Sequence, residues 1–545
     1  MHHAAHAHLA ARPVRLGGAL LLALLPACGG GDGGGGSQSP AGGNAPAFSS
    51  VPAVQVSQAS SYAADCGGAG QTGTLYPNTA LEPSLVVNPT NSANLVAEWQ
   101  QDRWSTGGSQ ALNLAASFDA GKTWTLSSAA FSLCTGGSVA AGSAYARASN
   151  GWLTVAPNGV VYALSLSFSG NTLAAGSSSA QLVASSSDGG MTWGPPTALI
   201  SDGSGFFDDK GSITADPNDA NYVYAVWDRL EGETGGPSYF AVTADAGATW
   251  QSAVSIYDPG LDNQTIGNQI VVLPGDVLLD VFTQLSDLSS SGSAALAAVS
   301  SSDHGTSWSA PLPITSVDAV STLDPFGNQP VRDAANLFSV AVSAGGTIYI
   351  VWQDARFSGG QYNGIAMTQS SDGGQSWSTP VQVNADHATP AFTPTVTVRA
   401  DGLLAITYYD FRNDVTPGAA LADYWLVTSS DGSTFKEAHL SGPFNLELAP
   451  DASGEGLFLG DYQSLRSNGA QLLPIYAQTP DSASNAPASS NIFLAAPPAA
   501  DLANAAVART FRAAPARPQT LGAAARARMA ASVRLTRAQR LQHAP

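Results

Sequence analysis

The sequence predicts an all-β protein, a β-propeller built from four-stranded antiparallel blades. Three observations predict it: a short motif recurs at spacings of 57 to 69 residues, each copy follows two apolar runs joined by a tight turn, and charged residues make up only 11% of a 545-residue chain that holds 57 glycines and 33 prolines. That composition is rich in turns rather than helices. Repetition at a fixed period marks an architecture in which neighbouring units bury one another's apolar faces.

The motif reads S/T-x-D-x-G-x-T/S-W. Its copies are "SFDAGKTW" (117–124), "SSDGGMTW" (186–193), "TADAGATW" (243–250), "SSDHGTSW" (301–308) and "SSDGGQSW" (370–377), with a shortened "SSDGSTF" at 429–435. The aspartates are Asp119, Asp188, Asp245, Asp303, Asp372 and Asp431. Each residue type suits a turn. A short Asp side chain accepts bonds from its own turn's N–H groups, Gly tolerates a positive φ, and Trp brings a large apolar area to the space between sheets. The motif is therefore expected to build the frame rather than carry chemistry.

Runs such as "LTVAPNGVVYAL", "FSVAVSAGGTIYIVW" and "TVTVRADGLLAITYY" precede the copies. Turn residues between β-rich runs read as hairpins. Each repeat is thus strand A, tight turn, strand B, longer loop, strand C, motif turn, strand D, and radial repetition of such sheets gives a propeller. The A strands are expected to begin near Ser84, Trp152, Ser212, Gln269, Leu337, Thr395 and Tyr462, which favours seven blades over the alternative of six. The seventh set lacks a motif and a fourth strand, and the early run "FSSVPAVQV" (48–56) is expected to supply that strand.

The ends read differently. Residues 1–28 form a lipoprotein signal peptide: Arg12 and Arg15 precede the apolar run "LGGALLLALLPAC", too short to span a membrane as a mature helix. Its end, "LPAC", resembles a bacterial lipobox, which implies lipidation of Cys28. Residues 29–46 are a Gly/Ser-rich linker, 47–498 the propeller, and 499–545 a basic Ala/Arg-rich tail expected to be disordered or loosely helical. Cys66 and Cys134 remain, and an exported chain is expected to join them in a disulfide.

The formal net charge is −19, yet eight of the 18 arginines follow residue 500 and only three lysines exist, so the body is strongly acidic. Such a body excludes nucleic acid as partner, because phosphate binding needs clustered positive charge. The eight histidines are scattered and no Cys/His spacing fits zinc, so neither a metal nor another cofactor is expected.

In an A-B-C-D blade the A–B and motif turns share one rim, and the B–C and D–A loops share the other. Four B strands end on that second rim in an acid–arginine pair: Asp102 with Arg103, Asp228 with Arg229, Asp354 with Arg356, and Asp410 with Arg412. Two readings stay open: ion pairs with each arginine stacked on the preceding aromatic, or a ring of guanidinium groups gripping an anionic ligand. Trp99, Trp104, Trp227 and Trp352 end apolar runs nearby, and at least three are expected in the core rather than free to stack on sugars. Other A strands are entered through Pro83, Gly151, Gly211 or Pro394; the seventh has Asp461 and Tyr462 there.

The repeated motif resembles the Asp-box of the sialidase superfamily, and "YQSL" (462–465) is similar to the stretch holding that family's nucleophilic tyrosine. The resemblance implies Tyr462 as nucleophile and Glu231 or Glu233 as the carboxylate that activates it. It implies Arg103, Arg356 and Arg412 as a triad for a substrate carboxylate, with Asp461 beside them, and Asp102, Asp208 or Asp209 as acid/base. A tyrosine nucleophile departs from the two-carboxylate scheme, and being neutral it avoids repulsion from an anionic sugar. Unlike the family, the first blade opens without a "RIP"-type motif. The expected function is an exported, exo-acting glycoside hydrolase for terminal anionic sugars, monomeric and lipid-anchored to the bacterial cell envelope. A non-catalytic propeller binding glycan or protein is the alternative. Hydrolysis of neutral polysaccharides by paired aspartates among Asp228, Asp354 and Asp410 is a weaker one.

Overall fold

The computed structural model describes residues 53–415, 417–452, 454–480, 488–497, 509–515 and 521–541. The chain divides into two compact units, Met1–Ala45 and Pro46–Pro545. The first, which holds the expected signal peptide with Cys28 and nearly all of the expected linker, lies outside the described residues.

The second unit is all-β, with one α-helix among the described residues, Ala523–Leu541. Among the described residues the strands form seven sheets with a four-stranded antiparallel core, I to VII, of which I and II are joined by the Ser109–Ala148 pair, and one small sheet of Thr322–Leu323, Pro330–Arg332 and Leu457–Phe458. Their first strands are Leu75–Val87, Arg147–Val155, Phe206–Ala215, Gln264–Leu273, Phe338–Val342, Ala391–Val398 and Ser464–Asn468. Sheet VII takes its fourth strand from the N-terminal side, with Val54 opposite Leu494 and Gln55 opposite Phe493.

Hydrogen bonds step from each sheet to the next. Leu153 N donates to Ser84 Oγ, Ala215 N to Thr154 Oγ1, Ser212 Oγ to Asn268 O, Gln269 Nε2 to Phe338 O, and Val396 N to Ser339 Oγ. Tyr409 Oη donates to Ala477 O, and Arg466 Nε returns to Leu85 O, so the sequence of contacts comes back to sheet I.

The repeated motif builds the turns between third and fourth strands. Asp119 accepts from Thr123 Oγ1 at 2.7 Å, Thr123 N at 2.9 Å and Lys122 N at 3.0 Å, and these donors, Thr123 first, hold its carboxyl down at about 2. Gly121, at φ 87°, faces the previous sheet so closely that a Cβ there would come within 2.4 Å of Leu494. Gly305 stands in the same relation to Phe240. At these junctions the motif is thus a wedge between neighbouring sheets. Trp99, Trp227 and Trp352 are fully buried and Trp104 is 9% exposed, which leaves none of them free to stack on a sugar.

Cys66 and Cys134 are joined in a disulfide that ties the N-terminal segment to the loop after sheet I. Of the basic tail, residues 509–515 and 521–541 are described. Arg509–Arg512 adds a fifth strand to sheet VI, with Phe511 stacked on Phe435, and Ala514–Pro515 adds one to sheet V. The helix Ala523–Leu541 then buries Ala525, Met529, Ser532, Val533 and Arg540. A helix this rich in Ala and Arg gains its stability from such contacts rather than from its own apolar content, which composition alone does not reveal.

Candidate functional site

Five first strands share one irregularity: two residues oppose one on the second strand. These are Glu82–Pro83, Asn150–Gly151, Lys210–Gly211, Gly267–Asn268 and Thr393–Pro394. The first of each pair is left-handed, with φ of 55°, 50°, 36°, 71° and 49°. A bulge of this kind re-aims a side chain, and for a non-glycine residue it stores about 1–3 kcal/mol of strain. In sheet VII the pair Asp461–Tyr462 precedes the first strand, after Gly460 at φ 111°.

The bulges of sheets I and III bring Glu82 and Lys210 to Asp461, which enters sheet VII, at a point termed the mouth. Lys210 Nζ lies 2.5 Å from Asp461 Oδ2, and Arg332 Nη2 lies 3.3 Å from the same oxygen. Arg332 Nη1 reaches Glu455 Oε2 at 3.2 Å. The Asp461 amide donates to Glu82 Oε1 at 3.0 Å, the Gln100 side chain donates to Glu82 Oε2, and Arg103 Nη1 donates to Gln100 Oε1 at 2.7 Å. Arg103 and Arg332 both lie over the Phe458 ring, at 5.0 and 4.6 Å. Arg332 is delivered by the short strand Pro330–Arg332, which pairs in parallel with Leu457–Phe458.

Burial and charge set the protonation of this cluster. Burial raises Glu82, and the Asp461 charge raises it further, against the pull of Lys210 and Arg103. Burial would also raise Asp461, but Lys210 and then Arg332 bring it well below the usual carboxylate range. Arg103 is lowered to about 10, first by burial and then by Arg332.

Tyr462 stands over this network with its ring 5.5 Å from Trp152. Its hydroxyl is buried and has no hydrogen bond of normal geometry. Burial, then Glu82, Asp461 and Glu98, raise the phenol well above 10.0. Glu98 lies behind Gly151, where a Cβ would come within 2.7 Å of its carboxyl carbon. It is fully buried, neither oxygen is hydrogen-bonded, and burial raises it well above the usual range. A cavity of about 210 Å³ runs between the first strands, and Trp152, Lys210, Asp461 and Tyr462 are among the residues that line it.

Because its folded value is raised, Glu98 contributes stability that is complete below the ordinary glutamate value near ~4.3 and is lost as pH rises through the raised value, at about 1.4 kcal/mol per unit. Glu98→Gln cannot ionise. It is expected to be more stable than the parent protein above about pH 5, by a margin that widens toward pH 8. Urea unfolding across that range checks it, and a constant margin contradicts it.

The residues singled out from sequence fall into two groups. Tyr462, Asp461 and Arg103 meet at the mouth. Arg356 does not: it is held by Asp354 at 2.8 Å, with Asp318 at 3.7 Å. Arg412 is held by Asp410 and Glu437, its guanidinium 3.7 Å over Trp425. Glu231 is bound to Arg229, which also takes Asp202, and Glu233 offers only its carbonyl, to Arg537 and Gln264. Asp102, at φ 62°, accepts from Ser60, Asn78 and Gln101 and serves the local backbone. Asp208 takes the Trp227 indole N–H and Ser179, and burial raises it to about 7. Asp209 shares a small cavity with Lys210, Arg332 and Asp461.

Glu82, Glu98, Lys210, Arg332 and Glu455 were not legible as site residues. Glu82 and Lys210 stand one position before Pro83 and Gly211, the small residues that mark strand openings. Their own types, one of seven glutamates and one of three lysines, are the available signal.

No family model matches the chain, and no curated protein matches it. Among solved structures it is similar to an α-L-arabinanase of Penicillium chrysogenum complexed with arabinobiose, at 13% identity over 82% of this chain and 98% of that one, TM-score 0.40. A Hadza microbial sialidase shows 14% identity over 74% of this chain and 76% of its own, TM-score 0.43. The Trypanosoma rangeli sialidase in complex with 2,3-difluorosialic acid shows 16% over 69% and 57%, TM-score 0.40. Likeness this slight fixes neither substrate nor reaction.

Proposed function

We propose that the seven sheets are the blades of one propeller, and that its mouth is the site of an exo-acting glycoside hydrolase of the sialidase kind. Tyr462 is the nucleophile and Glu82, rather than Glu231, takes its proton. One observation carries this reading: the buried Tyr462 hydroxyl lacks a well-formed partner and lies under the influence of Glu82. A phenol raised above its ordinary value does not ionise unaided and needs a base at the moment of attack. A carboxylate raised by burial is a better base than an exposed one. Among Asp102, Asp208 and Asp209, Asp209 is the acid/base candidate, because it shares a cavity with Lys210 and Asp461. Arg103, Lys210 and Arg332 replace the expected triad. Arg332 and Lys210 already share Asp461, so a sugar carboxylate would compete with Asp461 for them.

The test is a panel of aryl glycosides, sialosides and neutral sugars together, offered to the full chain. Glu82→Gln is expected to lower kcat on the sugar turned over by about 10²–10⁴-fold. An unchanged kcat removes Glu82 from the mechanism.

A second reading has an observation of its own. Arg356 and Arg412 are engaged inside their own sheets, and the cations at the mouth face Glu82, Asp461 and Glu455. A non-catalytic glycan-binding propeller fits that balance, and on the same panel it would bind a sugar without cleaving it.

Export and anchoring through Cys28 belong to the proposal, resting on the "LPAC" motif and the Gly-rich stretch after it. Metabolic labelling with a tagged fatty acid is expected to mark the parent chain and not Cys28→Ser; equal labelling contradicts the anchor.

A further inference from the structure

The C-terminal helix Ala523–Leu541 contains five arginines and no acidic residue. One of them, Arg540, is 2% exposed and lies inside the acidic body. Its Nη2 meets Asp228 Oδ2, its Nε lies 3.4 Å from Asp209 Oδ2, and its Nη1 donates to Gln264 Oε1 at 3.0 Å and Thr265 O at 3.1 Å. Two carboxylates, an amide oxygen and a carbonyl thus surround one planar fork of donors, which suits a guanidinium and not an ammonium.

The receptor is held by groups outside the tail. Asn150 Nδ2 fixes the other oxygen of Asp209 at 2.9 Å, and the Gly267 amide fixes that of Asp228 at 3.1 Å. Both anchors are bulge residues of the first strands. The notch also adjoins the mouth: Thr536, Gln539 and Arg540 line one small cavity with Lys210, Arg332 and Asp461. The helix's apolar hold is thin, with Met529 and Val533 the large apolar side chains it buries.

We propose that Asp209 and Asp228 form a guanidinium-binding notch at the mouth, and that the chain's own C-terminal helix is its displaceable occupant, held through Arg540. Access to Tyr462 is then set by whether the helix is seated. An arginine-rich peptide segment is the chemistry that would compete with it. The consequence for turnover rests on the hydrolase reading; the notch and its occupant do not. Burial raises Asp228 to about 7 even with Arg540 beside it, so that carboxyl gains from a cation.

Hydrogen exchange on the full chain tests this, with Arg540→Ala and Arg540→Lys beside the parent protein. Arg540→Ala is expected to speed exchange at least about tenfold (~1.4 kcal/mol) in the helix and in segments 207–212 and 458–463 together. Arginine amide, added to that variant, is expected to restore protection of the two mouth segments, and lysine amide to restore less. A helix that stays protected overturns the proposal. So does a helix that loosens while the mouth is unchanged, or a mouth indifferent to arginine amide. Should Arg540→Ala fail to fold, Arg540→Lys carries the same readout, because it keeps the charge and loses the fork. If exchange behaves as expected and neither chain cleaves any glycoside, the hydrolase reading fails and the notch stands.

Discussion

Tyr462→Phe is expected to remove glycoside turnover, by on the order of 10³-fold or more, while leaving the fold as stable as before or slightly more so. The two effects have one origin. The Tyr462 hydroxyl is buried without a hydrogen bond of normal geometry. A buried polar group in that state costs stability, so deleting the oxygen relieves a penalty of about 1–3 kcal/mol or less. The same oxygen is the only atom of the side chain able to attack a sugar. A phenylalanine keeps the ring beside Trp152 and loses only the reaction. Thermal unfolding and initial rates on one preparation check both signs. A fall in stability of several kcal/mol would mean that the hydroxyl holds the mouth together, and unchanged turnover would mean that it does not react.

Lys210→Met is expected to destabilise the protein by about 3–5 kcal/mol, the cost of leaving a buried charge without its partner. Lys210 sits on a bulge at φ 36° and places its ammonium on Asp461. Arg332 remains, but it is shared with Glu455. The pH dependence identifies the group involved. Asp461 is depressed in the folded protein, so it contributes stability above the ordinary aspartate value near ~3.9 that is lost as pH falls. Without Lys210 its folded value rises, the variant's native state takes up a proton more readily, and the destabilisation shrinks as pH falls from 8 toward 5. Urea unfolding at several pH values measures this. A loss below about 1 kcal/mol, or one independent of pH, contradicts the placement of Asp461 at the centre of the network.

Much of the fold could be read directly from residues. The spacing of Asp119, Asp188, Asp245, Asp303 and Asp372 announced the repeat, because each of these turns uses the same few donors on one carboxylate. Within the run at 48–56, the pairing of Val54–Gln55 was legible, because the seventh set alone lacked a fourth strand of its own. The mouth was legible only at Tyr462, Asp461 and Arg103. Glu82 and Lys210 reach it through bulges, and a bulge is a property of strand register that no single strand's sequence states. Arg332 reaches it through a three-residue strand, Pro330–Arg332, inserted between sheets IV and V. Of the two readings left open for the aspartate–arginine pairs, the ion pair holds for Asp354 with Arg356 and Asp410 with Arg412, where the short spacing lets the arginine fold back onto its own acid. The seating of Ala523–Leu541 was not legible, because Ala and Arg describe a solvated helix as well as one held on acidic groups.

Covalent trapping tests the role of Tyr462 most directly. The full chain is incubated with a fluorinated glycosyl fluoride of whichever sugar the panel shows it to cleave, then digested and mapped by mass. The expected result is one added sugar on the peptide holding Tyr462, absent from Tyr462→Phe and slow to form in Glu82→Gln. A label on any other residue, or brisk turnover by Tyr462→Phe with no label at this position, would contradict the mechanism.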